Sequence, residues 1–155
     1  MNLPAGVNGV GGVTGVVGVG IDAIEVARLR RLLERLPRAY ERLFSEHERG
    51  YSDSFANPFP RYAARFAAKE AVGKALGIGI IGFVWREIEV RSPGKPLVAL
   101  HGHVADIASY LGVTRIELSL SHTDEQASAV AVAVNDGGSA GDAGAPRTAE
   151  EERDV

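Results

Sequence analysis

The sequence predicts an α+β fold, in which helices pack on a mainly antiparallel sheet. Three observations predict this class. One short apolar run comes first, apolar residues at helical spacing then dominate up to residue 76, and short or alternating apolar runs dominate from residue 87 to residue 134. The predicted order is one strand, three helices, two strands, one helix and two strands. A chain of 155 residues is long enough to bury the core of one such domain without metal or disulfide support.

The first half of the chain is predicted to be one strand followed by helices. The run from Val16 to Ile21 combines valines with glycines and is typical of a short buried strand. The apolar residues after it recur at helical spacing until Pro37, which ends that helix. A longer helix is predicted from an N-cap at Asn57 to Leu76, because Gly77 then provides a C-terminal cap.

The second half is predicted to be rich in strands. The segments Glu87–Arg91 and Leu97–Leu100 flank the turn sequence S-P-G-K-P, which is typical of a hairpin. Residues 103–111 favour a short helix. Arg115–Ser121 and Ala127–Val134 alternate in the period of two that a half-buried strand requires. These segments complete the predicted sheet.

Two terminal segments are predicted to lie outside the folded domain at residues 17–134. Residues 1–16 mix glycine and valine without a periodic pattern, which indicates a flexible extension. Residues 135–155 contain six acids, two arginines, glycine and alanine but hardly a large apolar side chain, which predicts a disordered acidic tail. The net charge of −3 therefore comes from the tail, and the rest of the chain is slightly basic.

The absence of cysteine and of long apolar runs excludes several classes of function. Because the chain has no cysteine, it has no thiol nucleophile, no zinc–thiolate site and no evidence for secretion. No apolar run reaches the length of a membrane span, and no signal peptide pattern is present. We therefore expect a cytoplasmic protein that has no membrane partner.

Positive charge gathers in residues 28–42. Five arginines there recur every three or four positions, which places them on one helix face, although Pro37 divides the helix into two pieces. These residues are Arg28, Arg31, Arg35, Arg38 and Arg42. A solvated helix face is the ordinary interpretation of such a pattern. The alternative is a docking surface for an acidic protein or a nucleic acid.

Three separate segments carry polar groups suited to chemistry. Asp22 follows the first apolar run, where it caps the next helix, binds a cation or does both. Glu70 and Lys74 lie one helical turn apart among alanines, which predicts a partly buried acid–base pair rather than an ordinary surface pair. His122 lies in S-L-S-H-T at the end of a strand, where it is either a satisfied structural histidine or part of a site. A serine hydrolase is disfavoured because no G-x-S-x-G motif is present.

Together these segments resemble the holo-acyl-carrier-protein synthase family, the short phosphopantetheinyl transferases. The resemblance spans about residues 17–134, and its pieces occur in the family's order. They are G-V-G-I-D at 18–22, R-F-A-A-K-E-A-V-G-K-A at 65–75, G-K-P at 94–96 and S-L-S-H-T at 119–123. The resemblance implies transfer of 4′-phosphopantetheine from coenzyme A to a serine of an acyl carrier protein for fatty acid or polyketide synthesis. Adenosine 3′,5′-bisphosphate is the other product.

The resemblance also implies roles for single residues. Asp22 and Glu70 would hold Mg²⁺ on the pyrophosphate of coenzyme A, and two carboxylates suit that ion. Glu70 would also be the candidate acceptor of the serine proton, and Lys74 would stabilise charge on the transferring phosphate. Five further residues would help form the coenzyme A pocket: Arg65, Gly94, Lys95, Pro96 and His122.

The resemblance further implies the partners and the assembly. Arg28, Arg38 and Arg42 would contact the acyl carrier protein, which is acidic, and no nucleic acid partner is then expected. Ile24 occupies the position at which the longer two-repeat transferases carry a second acid. The chain therefore resembles the short type, which assembles as a homotrimer.

Two alternatives stay open at this point. The first is a carrier-protein-binding module without catalytic activity, which the intact acid–lysine segment disfavours. The second is a small nucleic-acid-binding domain that uses the same arginines. Only Tyr40 and Phe44 lie close to those arginines, so base stacking has little support.

Overall fold

The computed structural model describes residues 14–79 and 85–137. The predicted α+β class is confirmed. The elements are β1 Gly15–Glu25, α1 Val26–Arg35, α2 Ala39–Leu43, α3 Glu46–Asp53, α4 Phe59–Ala75, a 3₁₀ turn Trp85–Glu87, β2 Ile88–Arg91, β3 Leu97–Leu100, α5 Gly102–Tyr110, β4 Arg115–His122 and β5 Gln126–Asn135. None of the helices in these two ranges is long and apolar enough to cross a bilayer. Most of the predicted extension and of the predicted acidic tail lies outside the described residues, so both stay predictions.

All strand pairs in the described ranges are antiparallel, as predicted, but they form two sheets rather than one. The larger sheet has the order β1-β5-β4, and β2 pairs with β3 in a separate hairpin. In the larger sheet, Ile21 lies opposite Val130 and Asp22 lies opposite Ala129. Because side chains alternate across a strand, one face of this sheet carries Asp22 and the other carries Ile21.

Helix α4 packs against the Asp22 face at unusually close range. The alanines of α4 are buried, and so are the four alanines of β5 that face it. A Cβ atom on Gly20 would overlap the carbonyl oxygen of Ala71, and one on Gly18 would overlap that of Ala75. Small residues on both surfaces therefore set the separation of helix and sheet. This separation places the polar side chains of α4 beside β1.

Three predicted boundaries are corrected by the structure. Asp22 does not cap a helix, because β1 stays paired with β5 up to Glu25 and α1 begins only at Val26. Asn57 is not the N-cap of α4, which begins one residue later than predicted, at Phe59. Glu87 lies in the 3₁₀ turn rather than in β2. In the first case tertiary strand pairing prevails over the local preference for a cap.

Residues 36–58 contain more helix than the sequence interpretation predicted. Four helices, rather than three, separate β1 from β2 in the described residues. The break at Pro37 is confirmed, since α1 ends at Arg35. The additional helix α3 has a capping box between Ser45 and Glu48. The S-x-x-E spacing is the sequence signal that could have found it.

Candidate active site

The three residues singled out for acid–base and metal chemistry meet in one place. Asp22 of β1 and Glu70 and Lys74 of α4 line a single cavity of about 870 Å³, which we call the acid–lysine cavity. The Nζ atom of Lys74 donates hydrogen bonds to Oδ1 of Asp22 at 2.9 Å and to the carbonyl oxygen of Ile21 at 2.8 Å. The close packing of α4 on β1 therefore brings together two distant segments of the sequence.

The electrostatics of the cavity single out Glu70. Its side chain is buried, and burial raises its pKa above the usual value; the negative charge of Asp22 raises the pKa further, and Lys74 opposes both effects. The predicted partly buried pair between Glu70 and Lys74 is corrected. Among the described residues the ion-pair partner of Lys74 is Asp22, and the side chain of Lys74 is half exposed. Two carboxylates thus face one cavity, and Lys74 is paired with one of them, Asp22.

Aromatic, basic and aliphatic side chains form the remaining walls of the acid–lysine cavity. The rings of Phe66 and Trp85 stack with centroids 4.9 Å apart and an angle of 20° between their planes. Arg28 lines the same cavity with Arg31 and Arg35 from the same helix. Trp85 was not predicted as a site residue, and its place is decided by tertiary packing.

The other two arginines that were predicted to contact a partner lie elsewhere. Arg38 precedes α2 and Arg42 lies within it; both side chains are exposed, and neither lines the acid–lysine cavity. The predicted arginine face therefore continues past Pro37 as an exposed surface. Only its α1 half reaches the cavity.

The residues assigned to the coenzyme A pocket meet in a second cavity, of about 420 Å³, which we call the cationic cavity. All five line it, and they come from α4, from the turn between β2 and β3, and from the end of β4: Arg65, Gly94, Lys95, Pro96 and His122. Tyr51 and Arg61 also line it and were not predicted.

Arg65 is held in place by two contacts in the cationic cavity. Its guanidinium carbon lies 4.1 Å from the centre of the Tyr51 ring, and its Nη2 donates to Oγ of Ser92 at 2.9 Å. His122 faces the same space; burial lowers its pKa, and the charges of Arg61 and Arg65 lower it further. Lys95 reaches solvent and pairs with Glu117 at 2.9 Å. A cavity with this charge suits a phosphate group.

The two cavities lie on different faces of α4. Arg65 and Glu70 are five positions apart, which turns one side chain about 140° from the other around the helix axis. The described residues that line one cavity do not line the other. The described residues of one chain therefore form two separate cavities.

A buried ion pair behind the acid–lysine cavity was missed by the sequence interpretation. Lys69 precedes Glu70, and its Nζ lies 2.8 Å from Oε2 of Glu48, with both side chains fully buried. Burial lowers the pKa of Lys69, while Glu48 opposes that shift. A lysine within an alanine-rich helix segment was the signal available in the sequence.

The fold and the two cavities define a class of protein. A single α+β repeat that holds two carboxylates and a lysine in one cavity, and several cations in another, is suited to act on a phosphate ester. The chain matches the family model of the 4′-phosphopantetheinyl transferase superfamily over residues 18–133. The chain belongs to this superfamily, and the resemblance stated from the sequence is confirmed.

Curated relatives and solved structures agree with this assignment. The holo-[acyl-carrier-protein] synthase of Caldanaerobacter subterraneus is 45% identical over 117 residues, which are 74% of this chain and 92% of the relative. The synthase structure from Neisseria meningitidis superposes with a TM-score of 0.69 at 31% identity, covering 76% of this chain and 98% of that one. The structure from Bacillus anthracis, in complex with CoA (3′,5′-ADP), has a TM-score of 0.64 at 33% identity, with 78% and 98% covered.

Proposed function

We propose that this chain transfers 4′-phosphopantetheine from coenzyme A to a serine of an apo-acyl carrier protein in a Mg²⁺-dependent reaction. The observation that carries the proposal is the meeting of Asp22, Glu70 and Lys74 in one cavity. The relatives that support it are named holo-[acyl-carrier-protein] synthase, and the Helicobacter pylori structure is a complex with coenzyme A. We assign the reaction to the domain at residues 17–134 and to the cytoplasm.

The donor set of the acid–lysine cavity fits a magnesium ion. Asp22 and Glu70 offer hard carboxylate oxygens. Burial and, second, repulsion from Asp22 raise the pKa of Glu70, and a bound cation would relieve that repulsion. Mg²⁺ is commonly held by one or two carboxylates, with substrate oxygens and water completing its coordination. When bound there, it would neutralise charge on the pyrophosphate and on the leaving phosphate.

The chain's own side chains account for the remaining chemistry. The serine oxygen of the carrier protein forms a bond to the β-phosphorus of coenzyme A, and the bond from that phosphorus to the bridging oxygen breaks. Adenosine 3′,5′-bisphosphate leaves with the electron pair of that bond. Lys74 places a positive charge beside the phosphate, and Glu70, with its raised pKa, is the candidate acceptor of the serine proton, directly or through water.

The cationic cavity is the proposed site of the adenosine bisphosphate half of coenzyme A. Arg65, held by Tyr51 and Ser92, and Lys95 offer positive charge to phosphate oxygens. Gly94 has a φ of +91°, which suits a glycine in the tight turn that precedes Lys95.

The separation of the two cavities supports an assembly of several copies, and we propose the homotrimer that the resemblance implies. Three apolar residues are exposed on the face of the larger sheet that points away from α4: Val19 is 60% exposed, Ile21 64% and Val130 38%. We call this surface the outer sheet face. In the proposed assembly, copies bury this face against one another and the acid–lysine cavity of one copy adjoins the cationic cavity of the next, so that each site takes residues from two chains.

The exposed arginines supply a surface for the carrier protein. Arg28 lies at the acid–lysine cavity, and Arg38 and Arg42 extend the positive surface along the chain. An acidic carrier protein docked there would bring its serine to Glu70. Exposed charges of this kind act over about 10 Å at moderate salt, so the association is expected to weaken as salt is added.

Intact mass spectrometry of the carrier protein tests the proposed function. The chain, coenzyme A and Mg²⁺ are incubated with several apo-carrier proteins, and we expect the mass of one phosphopantetheine group to be added. The Glu70→Gln variant keeps the size of the side chain but removes its charge, and it should add no mass. Binding without any mass gain by the unmodified chain would instead support a non-catalytic binding module.

Mixing two inactive variants tests the shared site. Glu70→Gln and Arg65→Ala each damage one half-site, so each variant alone should be inactive. If the sites form between copies, mixed assemblies contain some sites with both intact halves, and activity should return on mixing. Activity that stays absent after subunit exchange would contradict a site shared between chains.

A further inference from the structure

The ammonium group of Lys69 ties three segments of the chain together behind the acid–lysine cavity. It forms the ion pair with Glu48 of α3 and donates to the carbonyl oxygens of Trp85 at 2.9 Å and of Ile88 at 2.6 Å. Three acceptors satisfy all three hydrogen atoms of an ammonium group. The pair is therefore complete without any ligand.

Glu48 extends this hydrogen-bond network to two backbone nitrogens. Its Oε2 accepts from the backbone nitrogen of Ser45 at 2.8 Å, and its Oε1 accepts from that of Val90 at 2.9 Å. The two charged groups thus hold the start of α3, the middle of α4 and the chain from Trp85 to Val90 in one arrangement. Helix α4 carries Lys69 in this network and Glu70 in the cavity.

Stability alone is a weak explanation for such a pair. Removing two charges from water is costly, and well-packed apolar side chains of similar volume often stabilise a protein equally well or better. What an apolar pair cannot do is fix a backbone carbonyl by a directional hydrogen bond. The group fixed here is the carbonyl of Trp85, whose ring stacks on Phe66 and lines the acid–lysine cavity.

We propose that the Lys69–Glu48 ion pair is a positioning device that sets the Trp85–Phe66 wall of the acid–lysine cavity for substrate binding. This inference rests on the proposed function, because the charged end of the cavity would hold the diphosphate and the aromatic wall would contact the uncharged pantetheine arm. Lys69 and Glu48 touch no substrate and act through Trp85. Loss of the pair should therefore weaken the binding of coenzyme A rather than slow the transfer itself.

A double variant tests the proposal without leaving a buried charge. Lys69→Met alone strands the Glu48 carboxylate and is expected to impair folding. Glu48→Gln combined with Lys69→Met removes both charges while keeping side-chain length and an acceptor for Val90. Arg30→Met is the matched control. It removes the exposed ion pair with Glu34, and Arg30 is not among the residues that line the acid–lysine cavity.

The chain has one tryptophan, so fluorescence reports directly on Trp85. In the folded double variant, confirmed by circular dichroism, we expect emission at longer wavelength and stronger quenching by acrylamide. We also expect the KM for coenzyme A to rise by about tenfold, a modest effect for a displaced positioning group, with kcat nearly unchanged. The Arg30→Met control should match the unmodified chain in all three measurements.

Trp85→Leu completes the test. If the pair acts through this wall, Trp85→Leu raises the KM for coenzyme A similarly, and adding it to the double variant raises the KM no further.

A folded double variant with unchanged quenching and unchanged KM overturns the proposal. Effects of Trp85→Leu and of the double variant on KM that add fully also overturn it. If the double variant does not fold, an unchanged KM in Trp85→Leu alone overturns it. Should the unmodified chain modify no carrier protein, the proposed function fails, while quenching still decides whether the pair positions Trp85.

Discussion

Nζ of Lys74 lies 2.9 Å from Oδ1 of Asp22, although 52 positions separate the two residues in the sequence. This contact joins the first strand to the central helix and marks the charged end of the acid–lysine cavity. It depends on the close approach of α4 to β1, which glycine and alanine permit. The site therefore depends on packing as much as on the two charged groups.

The packing itself can be tested at Gly20. A Cβ atom there would overlap the carbonyl oxygen of Ala71, so Gly20→Ala should lower the free energy of unfolding by about 1–3 kcal/mol. Gly50 is the matched control, because it lies in α3 with open space around it. Gly50→Ala should raise stability by about 0.4–1 kcal/mol. Urea unfolding measures both, and an equal response of the two variants would contradict the close approach.

The raised pKa of Glu70 predicts that its charge costs stability in the protein without metal. Between the usual pKa of 4.5 and the raised value, the folded state binds more protons than the unfolded state, so stability falls as pH rises through this window. Glu70→Gln should therefore unfold at a higher temperature than the unmodified chain at pH 7. The difference should shrink as the pH is lowered below 4.5. Thermal unfolding at several pH values in the presence of a chelator measures this.

Magnesium supplies the complementary measurement for Glu70. Adding Mg²⁺ should raise the unfolding temperature of the unmodified chain, because a ligand that binds only the folded state stabilises it. The unfolding temperature of Glu70→Gln should rise less on addition of Mg²⁺, since this variant retains one candidate carboxylate ligand instead of two. Equal gains in the two proteins would exclude Glu70 as a metal ligand.

If the arginines bind the carrier protein, removing one of them should raise the KM for that protein in a manner that depends on salt concentration. Arg28→Gln should raise the KM for the carrier protein by about fivefold at low salt, and the difference should diminish at high salt as the charges are screened. Arg38→Gln and Arg42→Gln should act in the same direction but less strongly, because they lie outside the cavity. Arg30→Gln is the control on the same helix. Steady-state kinetics at several salt concentrations distinguish these cases, and identical effects of Arg28→Gln and Arg30→Gln would count against docking at the cavity.

The outer sheet face predicts which substitution disrupts assembly. Ile21→Lys places a charge at an exposed apolar position opposite Val130, so copies that pack there would bury like charges. We expect light scattering to show dissociation to single chains, with loss of activity. Tyr110→Lys is the control, since Tyr110 is 72% exposed at the end of α5 and belongs to neither strand of the outer sheet face. An Ile21→Lys protein that keeps both its mass in solution and its activity would exclude the outer sheet face as the interface.

The sequence by itself determined the α+β class and the positions of most strands, and it singled out eight candidate catalytic, metal-binding and coenzyme A-binding residues that the structure places in the two cavities. Strand alternation and helical spacing are local patterns, and the acid–lysine and S-L-S-H-T segments are short and contiguous, so they are readable without a fold. Of the local alternatives for Asp22, the helix cap is wrong, because pairing between β1 and β5 carries the strand past it.

Only the tertiary structure decided which groups meet. The pairing of Lys74 with Asp22, the stacking of Trp85 on Phe66 and the buried pair of Lys69 with Glu48 all join residues from different elements. Such contacts depend on how α4 packs against the sheet and on which of its faces each side chain occupies. The separation of the acid–lysine and cationic cavities has the same origin, since five residues along a helix turn the side chains to different sides.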